Sequence, residues 1–158
     1  MRVAALYDIH GNLPALEAVL EDLRQMEVDR VVVGGDVVPG PMPCETNRGV
    51  CWISVAFARV SVPVAICGHT HMQFDRRIGS VRVVNAGSVG MPFGKAGAFW
   101  LLLGPEVQFR HTPHDLTKAA ECILDTDYPH AQDFAARNVL QPPSEREMLE
   151  VFAGAEVG

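Results

Sequence analysis

Asp8 and His10 lie two residues apart in the stretch Tyr7-Asp8-Ile9-His10-Gly11-Asn12, directly after the apolar run Val3-Ala4-Ala5-Leu6. A carboxylate and an imidazole at that spacing on a strand end point to the same side of the chain, an arrangement that suits two ligands of one metal ion. A second β-branched run, Val31-Val32-Val33-Gly34-Gly35-Asp36, ends in another carboxylate. A third, Val64-Ala65-Ile66-Cys67-Gly68-His69-Thr70-His71, ends in two imidazoles. Three strand-like runs thus each deliver Asp or His at their C-terminal ends, the edge at which open α/β sheets bind ligands. Five such groups arriving at one edge favour a metal site over a coincidence of polar strand ends.

The elements that must position these groups follow from periodicity. A strand is expected over about Arg2 to Tyr7 and a helix from about Leu13 to Met26, where Leu16, Val19, Leu20 and Leu23 recur at intervals of three and four. Pro14 fits the first turn of that helix, and Gly11 permits the sharp turn before it. Val31 to Gly34 reads as the next strand, so the strand-helix-strand order implies a parallel, right-handed crossover. Gly34, Gly35, Gly40, Pro39, Pro41 and Pro43 crowd the following loop, as expected of backbone packed close to a site. Cys44 to Val60 fits neither the helical nor the strand period. A strand from Val62 to Cys67 follows, then a hairpin over Arg76 to Val84 with a Gly-Ser turn, and strands over Ala98–Leu103 and Val107–His111. Helices are expected over Asp115–Leu124 and Ala131–Asn138, and a third opens at the capping box Ser144-Glu145-Arg146-Glu147 and runs to about Phe152.

The 158 residues can bury a real core as one domain, and a hydrophobic share of 48% with 20% charged residues describes a globular chain. The net charge of −6 and the lack of a basic cluster argue against duplex nucleic acid as a partner. No apolar run reaches the roughly 20 residues that span a bilayer. Cys44, Cys51, Cys67 and Cys122 form no CxxC pair and read as reduced thiols in a cytoplasm, with Cys67 as a small buried strand residue. His111, His114 and His130 lack partner motifs and read as surface histidines, while Trp52 and Trp100 read as core aromatics.

The blocks Asp8-Ile9-His10-Gly11-Asn12, Gly35-Asp36-Val37-Val38-Pro39-Gly40-Pro41, Gly68-His69-Thr70-His71 and Asn85-Ala86-Gly87-Ser88 resemble, in that order, the calcineurin-like metallophosphoesterase superfamily, and most closely its small bacterial and archaeal phosphodiesterase branch. The resemblance covers about residues 1–43 and 62–153. It implies an α/β fold, a two-sheet sandwich flanked by helices, as a single domain over residues 1–158. It also implies hydrolysis of a small phosphate ester, more readily a diester, at two divalent metals. By position, Asp8, His10 and His71 would hold the first metal, Asp36 would bridge both, and His69 would hold the second. Imidazole and carboxylate donors suit Mn, Fe, Ni or Zn. Asn85 and Ser88 would lie on the rim of the site as substrate-binding residues. Asn12 could orient a phosphate oxygen or the site loop, or cap the helix after it.

One block departs from the family. The Gly-Asn-His block and the later His that complete the second metal site have no counterpart between Val37 and Gly68, and residues 44–61 form a short, atypical segment where an internal deletion would fall. The second metal keeps only Asp36 and His69. The ligand count therefore predicts at most one tightly bound metal per chain. It leaves two rivals to the enzyme: a fold-retaining module that binds metal or phosphate, and a truncated product with no function.

Overall fold

The computed structural model describes residues 1–37, 40–42, 64–78 and 81–155. The atypical segment 44–61, Trp52, the start of the expected strand at Val62 and the Gly79-Ser80 turn lie outside them.

Strand β1 (Val3–Tyr7) leads through helix α1 (Leu13–Arg24) to β2 (Arg30–Gly34), and the two strands pair in parallel, as the strand-helix-strand order requires. On the other side β1 pairs antiparallel with β6 (Ala98–Leu103), which pairs antiparallel with β7 (Val107–Thr112), giving the order β2-β1-β6-β7. A second sheet, ordered β3-β5-β4, contains β3 (Val64–Cys67), β4 (Phe74–Ile78) and β5 (Val81–Asn85). Strand β5 is parallel to β3 and antiparallel to β4, whose register sets Ile78 opposite Val81.

Side-chain alternation shows how the layers stack. Ala4 and Leu6 of β1 and Ala98, Trp100 and Leu102 of β6 pack with Leu16, Val19 and Leu23 of α1. The intervening residues Ala5, Tyr7, Leu101 and Leu103 pack with Val64, Ile66 and Val84 of the second sheet. The first sheet is thus the middle layer, covered on both faces. This is why β1 reads as an unbroken apolar run instead of an alternating one.

Helix α2 (Leu116–Leu124) and helix α3 (Ala131–Phe134), which continues as a π-helical stretch over Ala135–Leu140, form a third apolar cluster. Met42, Leu13 and Met91 belong to the same cluster and tie it to the site loops. Helix α4 (Glu145–Ala155) opens at the expected capping box: the Ser144 backbone N–H donates to Glu147 Oε2 at 2.8 Å, and the Glu147 N–H donates back to Ser144 Oγ at 3.3 Å.

Two expectations need correction. Helix α1 ends at Arg24, not Met26, because the Gln25 and Met26 N–H groups reach back only three residues, to Asp22 and Leu23, which tightens the last turn. Of the three histidines expected at the surface, only His130 is exposed. His111 is partly buried, with Nε2 2.9 Å from the Ala96 carbonyl and its ring 4.6 Å from that of Phe99. His114 is also partly buried, its two ring nitrogens have no hydrogen-bond partner among the described residues, and burial holds it below its ordinary pKa.

Candidate metal centre

Four of the five candidate ligands adopt left-handed backbone: Asp8 at φ 52°, His10 at φ 53°, His69 at φ 71° and His71 at φ 55°. Side chains other than Gly seldom hold this conformation, and its clustering marks a site whose geometry the surroundings enforce. Strand alternation therefore does not aim Asp8 and His10, since β1 ends at Tyr7. Loop backbone aims them. The Asp8 N–H donates to Gly34 O at 3.2 Å, His10 N–H to Asp36 O at 2.9 Å and Gly11 N–H to Val37 O at 3.0 Å, so the loop after β1 is bonded along the loop after β2. On its other side, Val89 N–H donates to Tyr7 O at 2.9 Å and Gly90 N–H to Asp8 O at 3.1 Å.

The Asp8 carboxylate is buried and satisfied by two main-chain donors: Asp36 N–H to Oδ1 at 3.0 Å and His69 N–H to Oδ2 at 2.6 Å. Buried charge requires such partners. Room for it comes from Gly35 and Gly68, where a Cβ would overlap the two carboxylate oxygens. Gly35 also has φ 69°. The crowding of glycines in that loop thus has a specific cause.

His71 is buried against Phe93, ring centroids 4.9 Å apart. Its Nδ1 lies 2.7 Å from the Met91 carbonyl oxygen, which only an N–H can satisfy, so Nε2 is left as the unprotonated nitrogen. Burial first, and the neighbouring His10 second, push this imidazole below its ordinary pKa and keep it neutral. Its Nε2 faces His10 Nε2 at 3.0 Å.

Asp8, His10 and His71 each offer one donor atom, all within 4.8 Å of one another. Three donors each about 2.1 Å from one ion must lie within about 4.2 Å of each other, and two imidazole nitrogens at right angles about that ion lie about 3 Å apart. The His10–His71 spacing already meets this, and an ion would draw the widest pair in by at least roughly half an ångström. The donors fit a divalent transition metal. Asp36 and His69 touch the site through their backbone N–H groups, but their side chains are exposed and stand outside the three-residue group.

Asn12, Asn85 and Ser88 lie beneath the loops, almost wholly buried. Asn12 Oδ1 accepts from Ala15 N–H at 3.3 Å, capping α1, and its Nδ2 donates to Gly90 O at 2.8 Å. Asn85 Nδ2 donates to Gly68 O at 2.7 Å and Thr70 Oγ1 at 3.0 Å, while its Oδ1 accepts from Gly87 N–H at 2.8 Å. Ser88 Oγ donates to Asp8 O at 2.6 Å and accepts from Met91 N–H at 2.9 Å. Each is placed to brace the loops that carry Asp8, His69 and His71.

Sequence reasoning missed three features. The Met91 carbonyl that orients His71 carries no side-chain signal. Gln73 Nε2 lies 3.1 Å from both Ala86 O and Trp100 O, bridging the two sheets. A cleft of about 320 Å³ beside His10 is lined by Gly40, Met91, Tyr128, His130, Asp133, Phe134 and Asn138. Nothing in the spacing of 128–138 announces that its residues meet residue 10. Burial raises the Cys67 thiol pKa, in keeping with a packed strand residue and not a reactive one.

The sequence model of the calcineurin-like phosphoesterase superfamily domain matches residues 53–104, a stretch that starts inside the atypical segment and includes the blocks at Gly68–His71 and Asn85–Ser88. The sequence matches no curated protein. Among solved structures, the fold is similar to a metallophosphoesterase from Sphaerobacter thermophilus, with a TM-score of 0.73 and 18% identity over 87% of this chain and 98% of that one. It is similar also to the hypothetical protein PH1004 from Pyrococcus horikoshii OT3, at a TM-score of 0.70 and 16% identity over 90% and 99% of the two chains. The phosphoesterase Yfce from E. coli aligns at a TM-score of 0.54 and 22% identity over 66% and 89%. Residues 53–104 thus match the calcineurin-like phosphoesterase superfamily domain in sequence, and over most of its length the chain shares the fold of the solved metallophosphoesterase from Sphaerobacter thermophilus.

Proposed function

We propose that the chain is a metal-dependent phosphoesterase that hydrolyses a small phosphate ester, more readily a diester, in the manner of the small bacterial and archaeal phosphodiesterases. The observation that carries this reading is the convergence of Asp8, His10 and His71 within 4.8 Å at the sheet edge. A divalent Mn, Fe, Ni or Zn ion bound there would polarise a phosphoryl oxygen and acidify a water. The chain's own residues set the geometry. Two main-chain N–H groups hold the Asp8 carboxylate, and the Met91 carbonyl fixes the His71 tautomer that presents Nε2. We assign Asp36 to the side of the site next to Asp8, and at most one tightly held metal to the chain.

The net charge of −6 supports a small-molecule ester over duplex nucleic acid. Among the described residues no helix is long and apolar enough to cross a membrane. We place the protein in the cytoplasm, in keeping with the free thiols Cys67 and Cys122.

The exposed Asp36 and His69 side chains favour a second reading, a binding module that holds one metal without turnover. Elemental analysis of the purified chain, with turnover of bis-p-nitrophenyl phosphate in Mn²⁺, separates the two. One equivalent of metal with metal-dependent turnover, both lost in His71→Ala, is the expected result. One equivalent without turnover gives the binding module, and no bound metal overturns both readings.

A further inference from the structure

We propose that the cleft beside His10 receives the alcohol portion of the ester, and that Asp133 makes it prefer a cationic or donor-bearing alcohol over one carrying a further negative charge. The inference rests on the phosphoesterase reading above and names the class of substrate for that site. The cleft holds about 320 Å³ and shares His10 with the candidate metal centre, so an ester whose phosphoryl group sits at the centre has this space beside it. That volume is at the small end of ligand sites.

Chemistry divides the lining in two. Met91, Phe134 and the Tyr128 ring offer apolar and aromatic surface. Tyr128 and Phe134 pack edge to face at 6.2 Å, which holds both rings in place. His130, Asp133 and Asn138 supply the polar groups. Among the described residues that line the cleft, Asp133 is the one carboxylate and there is no Lys or Arg. A second phosphate or a carboxylate in this space would face Asp133 with no Lys or Arg among the described lining residues to offset it. A quaternary or primary ammonium would meet a carboxylate beside an aromatic lining, a combination that stabilises cations.

Asp133 is exposed, so solvent screens it, and the expected preference is modest. One wall of the cleft comes from the turn before α3, from α3 itself and from the π-helical stretch after it; His10, Gly40 and Met91 line the rest. The wider π turn displaces the helix face by a fraction of a turn, a feature frequent at functional sites. It sets Asn138 on the cleft while Val139 stays in the core.

The test measures binding, which does not depend on turnover. The full chain loaded with Mn²⁺ is titrated by calorimetry at low ionic strength with phosphocholine, with its neutral isostere 3,3-dimethylbutyl phosphate, with phosphoglycolate and with inorganic phosphate. Phosphocholine should bind roughly two- to fivefold more tightly than the neutral isostere, and phosphoglycolate more weakly than it, as one screened charge allows. Asp133→Asn should remove both differences. Glu27→Gln, which also removes one negative charge but lies before β2 at the opposite end of the strands, should leave them. Equal affinities in the wild type, or a preference that survives Asp133→Asn, would overturn the proposal while inorganic phosphate still binds. Failure of inorganic phosphate itself to bind the metal-loaded chain would instead bring down the phosphoesterase reading, and this inference with it.

Discussion

His10 Nε2 and His71 Nε2 face one another at 3.0 Å, although 61 residues separate them in the chain. At that distance one proton lies between the two ring nitrogens, and only one ring can donate it. Because His71 Nδ1–H is committed to the Met91 carbonyl, His71 Nε2 is the acceptor and is ready to be a ligand. The Met91 carbonyl thus presets the site for a cation.

Removing His71 tests this directly. We expect the wild-type chain to bind about one equivalent of Mn²⁺ or Zn²⁺, and His71→Ala close to none. Metal at about 100 times its Kd should stabilise the wild type by roughly 2.7 kcal/mol. Thermal melts with and without metal should show that increment in the wild type and lose it in His71→Ala. A metal-dependent increment that survives the substitution would place the ion elsewhere.

The pH dependence of the metal-free chain follows from two buried imidazoles. Burial lowers the pKa of both His71 and His114 below the ordinary 6.5. As pH falls through that value the unfolded chain takes up protons that the folded chain does not. Stability is therefore fully present above about pH 6.5 and is lost as the pH falls below it, at up to about 1.4 kcal/mol per pH unit for each imidazole while only the unfolded form is protonated. Urea midpoints between pH 8 and pH 5 should decline, and His114→Phe should flatten part of the decline. A midpoint that rises towards pH 5 would contradict the burial of both rings.

Space for the Asp8 carboxylate supplies a third test. Gly68 lies against Asp8 Oδ2 with no left-handed φ of its own, so Gly68→Ala changes volume without a demand on backbone conformation. Overpacking of this kind typically costs about 1–3 kcal/mol. The Cβ would also push the carboxylate off its two N–H donors, and metal affinity should fall at least about tenfold, the size of effect seen when a group that orients a ligand is lost. Gly35→Ala adds strain at φ 69° and should be worse on both counts. Chelator-competition titrations read the affinities.

Much of this was legible in the sequence, for physical reasons that differ by region. Leu16, Val19 and Leu23 on α1 and the runs of β1 and β2 announce themselves because one covered helix face and two covered sheet faces leave a strong hydrophobic pattern. The convergence of Asp8, His10 and His71 is legible because each follows an apolar strand-like run in the sequence. Their mode of presentation is not. Left-handed φ at Asp8, His10, His69 and His71 is not announced by residue type, since Asp and His tolerate it better than most side chains but adopt it seldom, and the surrounding backbone bonds hold it. Asn85 and Ser88 were expected on a rim, but their donors and acceptors are spent on Gly68, Thr70, Gly87, Asp8 and Met91. The cleft wall at Tyr128–Asn138 depends on a contact over more than a hundred residues, which no local pattern carries.

Catalysis gives the last test, and the backbone geometry makes it clean. Asp36 and His69 contact the Asp8 carboxylate through main-chain N–H groups that Asp36→Asn and His69→Ala both retain, so each variant changes the exposed side chain alone. One metal can polarise the phosphoryl group, but it leaves the opposite side of the transferring group without a clamp. The His that the resemblance would place as a general acid for the leaving oxygen, a role typically worth about 10²–10⁴-fold, is absent from residues 37–68. With added Mn²⁺ we expect bis-p-nitrophenyl phosphate to turn over at least about 100-fold more slowly than with a relative that carries the complete ligand set. Asp36→Asn should abolish what remains, because Asp36 would be the one carboxylate that the resemblance assigns to both metals. His69→Ala should change the rate less than about threefold if no second metal is held there. Rates measured side by side decide the matter. A loss in His69→Ala as deep as that in Asp36→Asn, or a wild-type rate equal to the relative's, would show that a second metal is held and that a residue beyond Asp36 and His69 completes its site.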